Sequence, residues 1–350
     1  MPPVVREAAN GMEQEPGDAA GKHNEDERRD PARCGLTGSA RRFLSFGHDE
    51  RLFATTPKLL RRSLESMHDS LHSVLDGISV VALATNIPGP LAASRLHALG
   101  AHVVKIEPLR GDPLRDAAPE WYARLCDGLR VERMDLRDGE ARKAVQVLLG
   151  GADVLITAMR ARSLAALDLD WESLHERYPR LSHVAVSGEL PPNDDRAGHD
   201  LTYQARAGLI APPAMPLSPI GDMAAAERSV AAALGALLLR ERTGRATRVD
   251  VGIVECARTF AEPLEAGLMG SGGELGGHRP TYRIYPAGDG KWVAVAALEP
   301  HFEERLARML DVERCDAVSL RQRFAERPAH EWEQLANEHD VPLVAVTSPT

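Results

Sequence analysis

Between residues 78 and 107 the chain passes from a buried-strand pattern to a helical pattern and back, and no other stretch constrains its fold as tightly. Ile78-Ser79-Val80-Val81-Ala82-Leu83 is a short apolar, β-branched run, the mark of a strand covered on both faces. Asn86-Ile87-Pro88-Gly89-Pro90 interrupts it, and Leu91 to Leu99 then has apolar residues at helical spacing, with Gly100 where such a helix would end. His102-Val103-Val104-Lys105-Ile106-Glu107 is the next strand. This βαβ unit predicts an α/β fold built on a doubly wound parallel sheet, with ligands at the C-terminal ends of the strands.

The pattern continues downstream. Glu140 to Leu149 reads as an amphipathic helix, Ala152 to Ile156 as a buried strand, Leu164 to Leu174 as a helix, and Leu181 to Gly188 as another strand. Glu107 ends the second strand where a nucleotide-binding protein would place an acid. The GxGxxG cradle is missing, however, and Pro88-Gly89-Pro90 stands in its place, which argues against a nicotinamide or flavin cofactor. Lys105, Arg110 and Arg115 flank Gly111-Asp112-Pro113. They either meet phosphates or are ordinary solvated charges.

At 350 residues there is chain enough for one large domain or two. The net charge of -9 speaks against a nucleic-acid partner, though local arginines and helix N-termini still suit an anionic ligand. The four cysteines are widely spaced and form no CxxC pair. They read as reduced thiols of a cytoplasmic protein, not as a disulfide framework or a metal site. No apolar run has membrane-spanning length and no signal-peptide pattern opens the chain. Residues 1–70 read as a disordered extension with a mixed charge run at Asn24 to Asp30, and Met67 is an alternative start.

The chemistry-bearing stretch is Gly198-His199-Asp200-Leu201-Thr202-Tyr203-Gln204-Ala205, followed by Ile220-Gly221-Asp222. Two carboxylates and an imidazole near one loop suit covalent carboxylate chemistry or proton transfer at an activated carbon. Asp200 has a plain alternative as the N-cap of the helix that follows, and Asp222 as the N-cap of an alanine-rich helix over Met223 to Leu239.

Taken in order, Leu75-Asp76-Gly77, Pro88-Gly89-Pro90, Leu99 to Pro108, Gly111-Asp112-Pro113, Ala152 to Ile156 and Gly198-His199-Asp200 resemble the family III CoA-transferases. That superfamily includes formyl-CoA transferase, carnitine CoA-transferase and α-methylacyl-CoA racemase. The resemblance runs from about Leu75 to Val346. It implies a Rossmann-like CoA-binding domain over residues 75–255 and a linker with a smaller α+β domain over 256–350, apparently shortened at its C-terminus. It also implies an interlinked homodimer, acyl-CoA and a small carboxylic acid as substrates, and no tightly bound cofactor.

The resemblance assigns residues as well. Asp200 matches the transferase nucleophile, with Leu201, Gln204 and Ala205 continuing the transferase-like motif, while His199 and Asp222 match the proton-transferring pair of the racemases. Lys105, Arg110, Arg115, Arg160 and Gly89 form the expected CoA-binding set. Two departures stand out. Pro286 occupies the position of a racemase glutamate that orients the histidine, and Leu125 to Arg130 replaces an Asn-Arg-Asn-Lys-like stretch that contributes to CoA binding. The expected activity is CoA transfer through an aspartyl-CoA intermediate; the alternatives are 2-methylacyl-CoA racemisation and non-catalytic CoA binding. Gly270 to Gly277 reads as either a mobile lid or a linker.

Overall fold

The computed structural model describes residues 73–347; the expectations for residues 1–70, including a start at Met67, lie outside the described residues. The first half of the described chain runs β1 (Ser79–Leu83), α1 (Pro88–Ala98), β2 (His102–Glu107), α2 (Leu114–Ala117), α3 (Pro119–Leu125), β3 (Arg130–Arg133), α4 (Gly139–Gly150), β4 (Val154–Thr157), α5 (Ala161–Ala165), α6 (Trp171–Arg177) and β5 (Ser182–Ser187). There follow α7 (Asp200–Arg206), α8 (Ile220–Thr243), β6 (Arg248–Gly252) and α9 (Ile253–Glu265). The last stretch is β7 (Tyr282–Pro286), β8 (Trp292–Ala296), α10 (Pro300–Leu310), α11 (Ala317–Phe324), α12 (Ala329–His339) and β9 (Leu343–Ala345).

Strands β1 to β6 form one sheet in the order β3-β2-β1-β4-β5-β6, with every neighbouring pair parallel. The order reverses beside β1, which makes the gap between β1 and β4 the switch point of a doubly wound fold. Alternate residues of one strand feed two different cores, as a sheet covered on both faces requires. Val80 and Ala82 pack with Leu96, Val184 and Ala233, whereas Val81 and Leu83 pack with Val145, Leu149 and Leu174 on the opposite face. Gly89 lets α1 press onto the end of β1, since a Cβ there would lie 2.1 Å from the Cβ of Ala84.

The smaller sheet is antiparallel, β7-β8-β9. Its core is aromatic: Phe324 stands 5.3 Å from Tyr285 and edge-on to Trp332 at 5.5 Å.

Four local expectations need correction. The helical pattern over Leu164 to Leu174 splits into α5 and α6, because Asp168 turns through a left-handed conformation (φ 56°) between them. The family resemblance also implies a strand over Val249 to Glu255; it stops at Gly252, and Ile253 to Glu255 open α9. Asp222 does not cap α8; the helix starts at Ile220 and Asp222 lies inside its first turn. The boundary expected at residues 255/256 falls within α9, whose Ile253, Val254 and Cys256 belong to the core of the large sheet.

Candidate functional site

Two clefts open at the C-terminal ends of the parallel strands. The larger, about 610 Å³, lies between the segments after β1, β2, β3 and β4 and is lined by Leu83, Ile106, Leu109, Arg110, Met134, Arg137 and Leu167 among others. The smaller, about 170 Å³, is lined by Asn86, Arg160, Ser187, Arg196, His199, Tyr203 and Asp222 among others. Thr85, Ala158 and Met159 line both, so the clefts adjoin.

Asp200 is the first residue of α7 and is half-buried. Its carboxylate is held from two sides. Oδ2 accepts a hydrogen bond from Nε2 of Gln204, one helical turn on, at 2.5 Å, and Oδ1 accepts from the backbone N–H of Asp222 at 3.0 Å. The Gln204 amide also donates to the Ser218 carbonyl at 2.9 Å, which ties α7 to the segment entering α8. The helical neighbours Asp200 and Gln204 are on one face because they are four residues apart. Two acceptor sites remain on the carboxylate, since each oxygen carries a second lone pair.

Gly221 makes the contact with α8 feasible. A Cβ at that position would lie 3.0 Å from Asp200 Oδ1 and 3.1 Å from Cγ2 of Ile253, tighter than ordinary carbon contacts. The free N–H groups of a first helical turn, with the helix dipole behind them, favour an anion at this spot. Asp222 itself is buried, with 9% of its surface exposed. Burial, and secondarily the negative charge of Asp200, push its carboxyl up to about 7.

His199 precedes the helix in extended backbone (φ -140°). Thr202 Oγ1 donates to the His199 carbonyl at 2.8 Å and accepts from its N–H at 3.1 Å, fixing the backbone while the residue stays exposed at the smaller cleft. The loop before it is anchored at Glu189, whose carboxylate pairs with Arg196 at 3.4 Å and Arg206 at 3.6 Å.

The expected CoA-binding set is dispersed. Arg110 lines the larger cleft and Arg160 the smaller. Gly89 is buried and serves the α1–β1 packing. Arg115 pairs with Asp116 at 3.4 Å, and its guanidinium lies where a Cβ on Gly111 would meet it at 3.3 Å; it lines neither cleft.

Lys105 departs most from expectation. It is fully buried, with its ammonium between Glu107 and Asp112, 2.7 Å from Oδ2 of the latter, so it faces no phosphate. It works behind the larger cleft instead. Asp112 Oδ1 accepts from the N–H groups of Asn86 at 2.9 Å and Leu114 at 3.0 Å, linking the loops that leave β1 and β2. Glu107 also accepts from the Tyr122 hydroxyl at 2.7 Å and from the N–H of Asp112 at 3.2 Å. Burial alone would raise its carboxyl; the hydrogen bonds from Lys105 and Tyr122 hold it below the usual range. A buried ammonium thus braces the loop that a glycine cradle shapes in dinucleotide-binding folds.

Sequence reading had no role for Gly221, Tyr203 or Ser218 at this site. For Gln204 a signal existed, the four-residue spacing from Asp200. For Gly221 only the fold reveals that a Cβ would crowd Asp200 and Ile253.

Fold and site together define a doubly wound α/β protein with two adjoining clefts at the switch point of its sheet and a braced carboxylate, Asp200, that itself lines neither cleft but adjoins His199 and Asp222 of the smaller one. The chain belongs to CoA-transferase family III, whose model matches residues 75–350. It is 31% identical over 260 residues to succinyl-CoA–D-citramalate CoA-transferase of Chloroflexus aurantiacus, covering 67% of this chain and 64% of that protein. It is also 31% identical over 255 residues to α-methylacyl-CoA racemase of Homo sapiens, again covering 67% and 64%. The chain therefore spans a little under two thirds of these relatives' length. A CaiB/BaiF family protein from Brucella suis shares the fold with a TM-score of 0.68 at 25% identity, over 78% of this chain and 84% of that one.

Proposed function

We propose that this protein moves CoA between carboxylic acids, with Asp200 as the nucleophile. The observation that carries the reading is the bracing of Asp200 by Gln204 and by the first turn of α8. The relative from Chloroflexus aurantiacus, named for CoA transfer from succinyl-CoA to D-citramalate, supports the same class of reaction.

In this reading the CoA thioester lies along the larger cleft and reaches the smaller one across Ala158 and Met159, with Arg110 near its charged end. Asp200 Oδ2 adds to the thioester carbonyl, the C–S bond breaks, and CoA leaves as its thiolate. A mixed anhydride remains. The thiolate then adds to the side-chain carbonyl carbon of Asp200, which releases the first acid as a carboxylate and leaves an aspartyl-CoA thioester. A second acid runs these two steps in reverse and departs with CoA. One difficult exchange becomes several easier ones. In each addition to the Asp200 carbonyl carbon, negative charge gathers on Oδ1, where the Asp222 N–H is aligned to receive it without reorganisation.

Incubation with acyl-CoA followed by hydroxylamine or borohydride tests the assignment. A stable adduct confined to Asp200 is expected; CoA exchange with no adduct at Asp200 would overturn it.

One observation favours a second reading, racemisation of a 2-methylacyl-CoA. Asp222, whose carboxyl is pushed up to about 7, and the His199 imidazole line one cleft, and proton transfer at one carbon requires two such groups facing a shared space. Pro286, opposite Trp292 in the β7–β8 pairing, offers the imidazole no side-chain partner. Deuterium wash-in at the α-carbon without CoA exchange is the outcome that would select this reading. Binding of CoA without either reaction, seen as a raised melting temperature, would select a non-catalytic role.

The finer setting follows from the same reading. Exposed Phe260 and Leu264 on α9 suit a face covered in a homodimer. Among the described residues Cys126, Cys256 and Cys315 are free thiols, in keeping with the cytoplasm. No described helix is long and apolar enough to cross a membrane.

A further inference from the structure

Tyr203 and Asp222 both line the smaller cleft, with only 8% and 9% of their surfaces exposed. Neither the Tyr203 hydroxyl nor the Asp222 carboxyl has a hydrogen-bond partner or an ion pair among the described residues. The other buried or part-buried tyrosines differ: Tyr122, Tyr178 and Tyr285 each donate to a carboxylate or a carbonyl. The unpartnered side-chain atoms that are sealed from solvent are Ser182 Oγ, His183 Nδ1 and Glu255 Oε2. The polar ends of Tyr203 and Asp222 are not among them, so the little surface these two residues keep includes those ends, at the cleft.

Both groups are fixed in place. The Tyr203 ring belongs to the core of the large sheet. Its cleft edge is bounded by two glycines that also line the cleft: a Cβ on Gly188 would lie 2.5 Å from the hydroxyl oxygen, and one on Gly198 would overlap Cε1. Asp222 is held by the first turn of α8, where its N–H meets Asp200 Oδ1 at 3.0 Å. Burial, and then the charge of Asp200, push its carboxyl up to about 7, so near neutral pH it carries a proton for much of the time. Burial first, and then the charge of Asp222, raise the Tyr203 hydroxyl as well, so it stays a donor. Two neutral O–H groups fixed at one cleft suit an oxygen on which negative charge gathers.

We propose that the Tyr203 hydroxyl and the Asp222 carboxyl form a donor pair for the carbonyl oxygen of a thioester bound in the smaller cleft. The pair rests on the proposed function for the presence of that thioester, and it completes the transfer reading. When Asp200 Oδ2 adds to the acyl carbon, charge gathers on the acyl oxygen, a different atom from the Oδ1 that the Asp222 N–H serves. Asp200 lines neither cleft, but its Oδ1 is one hydrogen bond away from the residue that supplies the second donor. Asp222 acts here by donating a hydrogen bond and keeping its proton, which separates this role from that of a proton carrier.

The test is infrared spectroscopy of propanoyl-CoA, labelled with carbon-13 at the carbonyl and bound to the full chain without an acceptor acid, beside the kinetics of CoA exchange. The proteins are the wild type, Tyr203→Phe, Asp222→Asn and Asp222→Leu. A hydrogen-bonded carbonyl absorbs at lower frequency than a free one, and the wild type is expected to show that shift. Tyr203→Phe and Asp222→Leu should each lose part of it, whereas Asp222→Asn, whose amide still donates, should keep it. In Tyr203→Phe kcat should fall by about 10²–10³-fold, the cost of one such donor, with KM little changed. Its melting temperature should be no lower than the wild type's, because the hydroxyl has no protein partner to lose. An unshifted carbonyl in the wild type overturns the proposal, as does a shift that survives intact in Tyr203→Phe or in Asp222→Leu. Loss of exchange in Asp222→Asn with the shift retained also overturns it, since Asp222 would then be moving a proton. An adduct at Asp200 beside an unshifted carbonyl defeats the donor pair and leaves the transfer reading standing. A shift weakened in both Tyr203→Phe and Asp222→Leu, with no exchange in the wild type, supports the pair and defeats the transfer reading alone. A wild type that binds no thioester overturns both.

Discussion

Asp222 donates its backbone N–H to Oδ1 of Asp200 at 3.0 Å across 22 residues of sequence, and its own carboxyl stays buried beside that charge. One residue thus supplies a donor that favours the anion at Asp200 and an acid that is disfavoured by it. The two effects are compatible because the N–H belongs to the helix end and the carboxyl to the buried side of the cleft.

Removing the nucleophile should abolish exchange while sparing the fold. Asp200→Asn keeps the shape of the side chain but cannot form an anhydride. Exchange of labelled CoA is expected to fall by at least about 10³-fold, the scale of losing a reacting group, with little change in the melting temperature.

The fit of α8 against Asp200 should be sensitive to one methyl group. Gly221→Ala puts a Cβ 3.0 Å from Oδ1 and 3.1 Å from Ile253 Cγ2, and overpacking of this kind costs about 1–3 kcal/mol. Urea unfolding should record that loss, and kcat should fall because Asp200 is displaced. Full activity in Gly221→Ala would mean that the bracing contact is dispensable.

Lys105 should matter for stability and for the larger cleft, not as a phosphate contact. Lys105→Met leaves Glu107 and Asp112 buried without their shared cation, a change that typically costs about 3–5 kcal/mol. The melting temperature should drop markedly, and KM for the thioester should rise as the loops tied by Asp112 loosen. A variant of wild-type stability would contradict the bracing role.

Stability should depend on pH through Asp222. Its carboxyl titrates near 7 in the folded protein against 3.8 as the unperturbed value, so between those values the folded chain binds more protons than the unfolded one. The contribution is fully present below about 3.8 and is lost as pH rises through about 7. Unfolding free energies measured from pH 5 to pH 8 should therefore decline by a few kcal/mol through this group, and Asp222→Asn should flatten that part of the profile. An unchanged slope in the variant would assign it to other groups.

Much of the large sheet was legible because its strands are buried on both faces. Runs such as Val80 to Leu83 and Val103 to Ile106 have few polar residues to obscure them, and β1, β2, β4 and β5 lie within a residue or two of where the sequence places them. Strand β3, Arg130 to Arg133, went unread: it is an edge strand of charged residues with none of that patterning. The helix break at Asp168 was hidden for a different reason, since a left-handed aspartate leaves apolar spacing on either side undisturbed.

Local sequence determined that this chain alternates strands and helices, that Asp200 opens a helix, and that Gln204 lies one turn above it, because periodicity and short spacings act between near neighbours. Tertiary structure alone decided that the first turn of α8 meets Asp200, that a Cβ on Gly221 would crowd that carboxylate, and that Lys105 is enclosed by two carboxylates while Arg160 is left open at a cleft. Those outcomes depend on which groups the packing brings together and which it shields from water. A charge's role changes with its solvation, and solvation is a property of the assembled fold, not of the order of residues.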